Sequence, residues 1–273
     1  MKLGIEASKW IIWILVSIGL ISIPFIFFEN RQSTFQLSAG VWFQSSLLET
    51  KYLYILHHAL AFIPVFIFGI VFNLFSFRDV FIKEYWKPLS VLAILYIGWD
   101  MVFTYLRIWG FNETYIIGIK ILGLPIEEIA WFLVIPFCSL FTYEVFKRYN
   151  YFESRFEALI KGLVLLVLVI LYIVEIDKIY TSISVASCII VVGYSWIWGL
   201  RGFALFLVAY GVILIPMILF NGMLTGLFTK EGLVVYNPEE FSGNRIFSFP
   251  MEDMAFGFSF LYGILCLRDY INK

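Results

Sequence analysis

Apolar residues run along this chain in long blocks separated by short clusters of charge. A bilayer-spanning helix needs about 20 mostly apolar residues. Blocks of that order lie at 10–28, 53–72, 88–108, 125–146, 158–174, 179–198, 203–224 and 250–267, so the pattern predicts eight spanning helices. The first block is flanked by Lys9 and by Glu29, Asn30 and Arg31, with no small-x-small cleavage site after it. It reads as an uncleaved signal anchor. Residues 31–50 are mixed and read as interfacial. Arg78, Lys83 and Lys87 read as a loop before the third helix, and residues 147–157 as a charged connector after the fourth.

Composition agrees with the blocks. The 273 residues are 62% hydrophobic and 14% charged, with mean hydropathy +0.91. Soluble domains carry about 25% charged residues, so the chain is expected to be an all-α integral membrane protein. A net charge of −1 gives no basic patch for nucleic acid. Aromatic residues make up 20%, including 30 Phe. Trp and Tyr favour the membrane interfaces, whereas so much Phe suggests ring-lined interior surfaces and an apolar ligand. For any single Phe, simple replacement of Leu against lipid is the plainer alternative. Cys138, Cys188 and Cys266 lie inside apolar blocks without metal-like spacing and read as small buried hydrophobes.

Against this background one motif stands out because it occurs twice. Pro125-Ile126-Glu127-Glu128 opens the fourth helix, and Pro250-Met251-Glu252-Asp253 opens the eighth. Glu144 and Asp269 each follow their proline by 19 positions and read as solvated helix ends. Asp100 and Asn221 each precede a threonine by four residues, on the third and seventh helices. Helices two to four therefore resemble helices six to eight, with the fifth as a linker. Four helices separate equivalent elements, so the copies point the same way. The expectation is a parallel 3 + 1 + 3 repeat with an extra N-terminal helix, and a site at the repeat interface. The corresponding divisions are 1–51, 52–157, 158–178 and 179–273.

Ionisable groups inside a membrane are costly and are functional candidates. Acids just after a proline are also ordinary first-turn residues, favoured by the helix dipole; duplication weighs against that plain account. Neighbouring helical residues point about 100° apart, so the two acids of a pair cannot face one cavity equally. Glu127 and Glu252 are expected to face each other across the repeat axis. Asp100 reads as site-orienting, Asn221 as a partner or an interhelical hydrogen bonder, and Arg245 as balancing the acids or snorkelling to the interface. His57 and His58 have no counterpart in the second copy and read as satisfied core histidines. A protonated carboxyl beside aromatic rings can protonate an alkene, with cation–π stabilisation of the carbocation and a second carboxylate removing a proton. The same acids can instead form the relay of a proton-linked carrier. There is no dinucleotide fingerprint, no P-loop and no Asp-Asp-x-x-Asp run, so no cofactor is expected.

Leu124-Pro125-Ile126-Glu127-Glu128, with Trp99-Asp100 and Trp109-Gly110-Phe111-Asn112, resembles the first half of the small membrane lycopene cyclases. Asn221-Gly222-Met223-Leu224-Thr225-Gly226, Val234-Val235-Tyr236-Asn237, Gly243-Asn244-Arg245-Ile246 and Pro250-Met251-Glu252-Asp253 resemble the second half. The resemblance spans roughly residues 52–270. It implies redox-neutral cyclisation of the linear end groups of lycopene to β-ionone rings, with two halves fused in one chain. Carried over by motif, Glu127, Glu128, Glu252 and Asp253 are the site acids, with Asp100, Asn221, Trp99, Trp131 and Arg245 around them. Trp131-Phe132 departs from the Phe-Phe common in the family, and Ser248-Phe249 from Thr-Ile. The implied partners are lycopene or a related linear carotenoid, membrane lipid and other enzymes of carotenoid synthesis. A proton-coupled carrier and a non-catalytic carotenoid-binding protein are the alternatives. The larger share of the 19 Lys and Arg lies on the side of the termini. By the positive-inside rule this places both termini in the cytoplasm of a multi-pass cell-membrane protein, and the acid motifs at the outer face.

Overall fold

The computed structural model describes residues 2–29, 35, 44–149 and 156–272. Most of the expected interfacial segment at 31–50, and residues 150–155 of the connector, lie outside the described residues. Eight helices are long and apolar enough to cross a membrane, and the chain is an all-α membrane protein. They are α1 (Lys2–Phe27), α2 (Leu53–Val71), α3 (Leu74–Tyr105), α4 (Ile126–Arg148), α5 (Glu157–Val174), α6 (Ile179–Ile197), α7 (Phe203–Leu224) and α8 (Glu252–Ile271).

The third span begins earlier than its hydropathy predicts. Arg78, Lys83 and Lys87 lie within α3 and not in a loop before it. Pro88 has no N–H to donate, and its ring would crowd the carbonyl four residues back. The wider π-helical stretch Phe81–Tyr85 takes up that mismatch, so the helix continues through the proline. Phe77 and Tyr85 are fully buried on one side of this extension.

Short strands cap one end of the bundle. β1 (Trp109–Phe111) follows α3, and the hairpin β2 (Lys120–Ile121) with β3 (Leu124–Pro125) leads into α4. In the second copy, β4 (Val234–Tyr236) follows α7, and β5 (Arg245–Ile246) with β6 (Phe249–Pro250) leads into α8. β1 and β4 pair antiparallel, with Gly110 opposite Val235 at the centre. Flanking hydrogen bonds repeat with a constant offset of 125 residues. Asn112 N donates to Leu233 O (2.8 Å), and Asn237 N donates to Ile108 O (2.9 Å). Ile126 N donates to Ile119 O (3.0 Å), and Met251 N to Asn244 O (3.1 Å). A pseudo-two-fold axis therefore passes through the Gly110–Val235 pair. Side-chain volume is restricted where the strands meet: a Cβ on Gly110 would lie 3.0 Å from the Phe35 ring.

Helix packing follows the same axis. α3 packs on α8 and α7 packs on α4, while α2–α4 and α6–α8 pair within each copy. The copies differ in what surrounds them. α6 is covered by α1 and α5 and is 72% buried, whereas its counterpart α2 is 17% buried. At the end opposite the strands, Glu144 is not solvated as expected. It is buried, accepts from the Tyr85 hydroxyl and from Lys147 Nζ (3.1 Å), and lies 3.8 Å from the Arg268 guanidinium. Arg268 also bonds Asp269 (2.6 Å). This polar cluster ties α3, α4 and α8 together; buried charges persist where they are paired in this way.

Candidate active site

Beneath the β1–β4 ribbon lies a cavity of about 70 Å³ at the repeat interface. It is lined by Asp100, Glu128, Asn221 and Asp253, together with Tyr54, Trp109, Phe111, Trp131, Phe132, Tyr180, Tyr236 and Phe256. The second acid of each Pro-x-acid-acid motif faces inward, not the first. The expected Glu127–Glu252 pair across the axis is therefore not formed.

The first acids are turned to the loops for a local reason. Glu127 Oε1 accepts from the backbone N–H of Ile117 at 2.8 Å, and Glu252 Oε1 accepts from that of Ser242 at 2.9 Å. Each tether reaches ten residues back and fixes the turn that leads into the hairpin. Glu252 Oε1 also accepts from Thr181 Oγ1 at 2.6 Å. With the first acid held there, the 100° step of the helix carries Glu128 and Asp253 round to the axis.

Around the inward acids the two halves supply different partners. Glu128 accepts from the Tyr54 hydroxyl and lines the same small cavity as Asp100. Asp100 Oδ1 accepts from Trp109 Nε1 (2.6 Å) and Thr104 Oγ1 (3.2 Å). Two carboxyl groups in one small cavity can share a proton, one as donor and the other as acceptor. Asp253 accepts from the hydroxyl of Tyr180 (2.5 Å) and, through Oδ2, from Asn221 Nδ2 (2.6 Å) and the Tyr236 hydroxyl (2.8 Å). Tyr54 and Tyr180 are the second residues of α2 and α6, so they are repeat equivalents. Tyr236 has Phe111 as its equivalent on the other strand, which gives Asp253 a donor that Glu128 lacks. Tyr236 lies outside the spanning helices; burial, then the charge of Asp253, pushes its phenol well above its ordinary value, so it remains a neutral donor.

The remaining candidates are placed as follows. Trp131 lines the acid cavity. Trp99 does not; its ring packs on Phe103 and Phe256, and its Nε1 is buried with no partner among the described residues. Arg245 stands behind the site, with its guanidinium 4.9 Å from the Phe241 ring centre and 5.8 Å from that of Tyr236. It donates to Ser248 O at 2.5 Å. Tyr54, Tyr180, Tyr236 and Phe256 were missing from the sequence-based set. Aligning the starts of α2 and α6 would have found the first two. Among the described residues, no three His, Cys, Asp or Glu side chains converge as a metal site.

A second, larger cavity of about 200 Å³ adjoins the first and shares Trp131, Met217 and Asn221 with it. It runs between α2, α4, α7 and α8 and is lined mainly by apolar side chains. His57 lines it as well, and His58 Nε2 donates to the Glu127 carbonyl at 2.7 Å.

A two-repeat membrane bundle with carboxyls enclosed by aromatic rings is thus the class that fold and site define. The family model for lycopene cyclase matches residues 51–146 and 177–271, one stretch in each copy. The chain belongs to the lycopene cyclase family, with both halves in one polypeptide. That membership supports a carotenoid cyclase with a linear carotenoid substrate in the membrane, over a carrier or a passive pigment-binding protein. No curated protein and no solved structure matches the chain.

Proposed function

We propose that the protein is a lycopene β-cyclase, an intramolecular lyase that closes the linear end groups of lycopene into β-ionone rings. The observation that carries this is the enclosure of Asp100, Glu128 and Asp253 in one ring-lined cavity at the repeat axis. The proton held by the Glu128–Asp100 pair is delivered to the terminal double bond of the substrate. The tertiary cation formed is attacked by the next alkene, which closes the six-membered ring and moves the cation along the chain. Trp109, Trp131, Phe132 and Phe256 offer ring faces to that cation; such contacts contribute about 0.5–2 kcal/mol each. Asp253, an acceptor for three donors, removes the ring proton next to the cation. One proton enters and one leaves, with no change of oxidation state. Glu127 and Glu252 act as tethers for the loops over the cavity. The site lies in the outer half of the cell membrane with both termini cytoplasmic, and neighbouring enzymes of carotenoid synthesis supply the substrate.

The test is expression in a lycopene-accumulating host, followed by pigment chromatography. Monocyclic or bicyclic β-ring carotene is expected. Lycopene persisting beside well-inserted protein would overturn the proposal.

A further inference from the structure

The pseudo-two-fold axis predicts two grooves beside the acid cavity, one on each side. Among the described residues one of them is open and the other is filled by side chains. The open groove passes between α2, α4, α7 and α8. The axis carries that position to the space between α6, α8, α3 and α4, and there the side chains nearest the acid cavity are larger or mutually bonded, although Tyr210 and Cys138 have the smaller Leu89 and Gly263 as equivalents. Met217 and Phe220 of the open side correspond to Tyr96 and Trp99. Gly257 corresponds to Phe132, and Ala61 to Ser187. The Tyr96 ring stacks on Phe260 at 4.5 Å and meets Phe256 at 5.1 Å, while Trp99 meets Phe256 at 4.8 Å. The Tyr96 hydroxyl donates to Ser259 (2.9 Å), which also accepts from Ser187 (2.8 Å). These contacts fill and lock the second groove.

The helix backbones differ in the same sense. α2, α4 and α7 carry Pro64, Pro136 and Pro216 inside the helix. Their repeat equivalents are Ile190, Leu261 and Leu95. An internal proline removes a ladder hydrogen bond and bends the helix. Pro136 and Pro216 line the open groove itself. α2, which forms its outer wall, is the exposed member of the α2–α6 pair, whereas α6 is sealed by α1 and α5.

We propose that the groove between α2 and α7 is the binding site for the polyene tail of a linear carotenoid, and that its filled counterpart is not. The occupant follows from continuity: the groove is apolar, shares Trp131, Met217 and Asn221 with the acid cavity, and belongs to a chain whose family acts on linear carotenoids. One end group at a time reaches the acids, always from the α2–α7 side. The second end of a symmetric substrate is cyclised only after release and re-entry. This inference rests on the cyclase reading.

The experiment uses purified full-length protein in lycopene-loaded liposomes, with activity expressed per folded molecule. A size series at Val65, from Ala through Leu and Phe to Trp, grades the groove. Activity is expected to fall by about 10- to 200-fold at the Trp end, the range for steric mismatch in an apolar pocket. Tyr96→Leu in the filled counterpart is expected to leave activity within about twofold, well below that range. Because a bulky Val65 variant can misfold, Val65→Cys is also treated after folding with benzyl methanethiosulfonate. Activity is expected to fall on labelling and return when the disulfide is reduced, and prior lycopene is expected to slow the labelling. An active wild type with a flat Val65 series and no effect of labelling overturns the groove assignment alone. An active wild type that loses activity with Tyr96→Leu as strongly as with Val65→Trp overturns the one-sided assignment. A wild type that leaves lycopene unchanged overturns the cyclase reading beneath it.

Discussion

The two grooves flanking the acid cavity descend from one pattern, yet one is a passage and the other is core. On the filled side Tyr96 and Trp99 pack on Phe256 of the acid cavity and on Phe260, whose ring also lines the open groove, with tilted, edge and stacked contacts. Aromatic pairs of this kind contribute about 0.5–1.5 kcal/mol each beyond their burial. On the open side Gly257, Ala61 and Met217 leave volume, and three internal prolines each remove a hydrogen-bond donor from the helices that form the walls. Helix association in lipid depends on packing and interhelical hydrogen bonds, not on hydrophobic exclusion. A symmetric pair of open grooves would have lost packing on both sides. The comparison teaches that duplication supplied two sets of acids but only one route to them, and that the closed half holds the bundle together.

The largest effects are expected where the comparison ends, at the acids themselves. Glu128→Gln and Asp253→Asn should each reduce ring formation by about 10²–10⁴-fold, the usual contribution of a positioned acid or base. Pigment analysis at matched membrane expression checks this. Retained activity in either variant removes that carboxyl from the proton path and breaks the link between the open groove and the acids.

Truncation in the filled groove comes next, and its effect should fall on stability. Tyr96→Ala is expected to lower unfolding free energy by about 3–5 kcal/mol, the cost of emptying a packed aromatic site. Phe220→Ala, on the open wall, should cost clearly less. Denaturation in detergent, monitored by retention of monodisperse protein, ranks the two. Equal losses at Phe220 and Tyr96 would dissolve the distinction between passage and core.

The tethers should show a smaller effect that separates the first acids from the second. Glu127→Gln and Glu252→Gln keep an oxygen that accepts the loop N–H but remove the charge that strengthens the bond, so a loss of no more than about 1 kcal/mol is expected. Activity should be largely retained, in contrast with Glu128→Gln. Loss equal to that of Glu128→Gln would restore Glu127 to the chemistry.

The smallest effect concerns the strand end. Glu49 accepts from the Tyr115 hydroxyl (2.6 Å) and the Lys230 backbone N–H (2.8 Å), which joins the loops of the two copies. Burial pushes the Glu49 carboxyl up, but the Tyr115 and Lys230 interactions outweigh it and hold the group below its ordinary 4.5. A depressed folded pKa gives a contribution present above 4.5 and lost as pH falls through the folded value. Glu49→Gln should therefore be slightly less stable than wild type at neutral pH, with the difference closing as pH falls below 4.5 and through the folded value. A difference independent of pH would show that charge has no part in that joint.

Much of this molecule was legible along the chain. The apolar blocks marked the helices because a bilayer core tolerates little else over some 20 residues. The double Pro-x-acid-acid motif marked the repeat, and Asp100 with Asn221 marked the facing helices. Besides the choice of inward acid, two features were not legible, for a shared reason. The start of α3 and the solvation of Glu144 both depend on charges that find partners or snorkel only once helices pack: Lys147 and Arg268 come to Glu144 from its own helix and from α8.

Sequence alone determined that two acids would stand at the start of each key helix, because proline and the first turn fix that position. It did not determine which acid of each pair faces the axis. That was decided by the Ile117 and Ser242 N–H groups, which hold Glu127 and Glu252 at the loops and turn Glu128 and Asp253 inward. Nor did it decide which groove opens. Small residues and internal prolines on α2, α4, α7 and α8 are scattered along the chain. They make a passage only where the pseudo-two-fold axis brings them to one side, and the same operation brings the large rings together on the other.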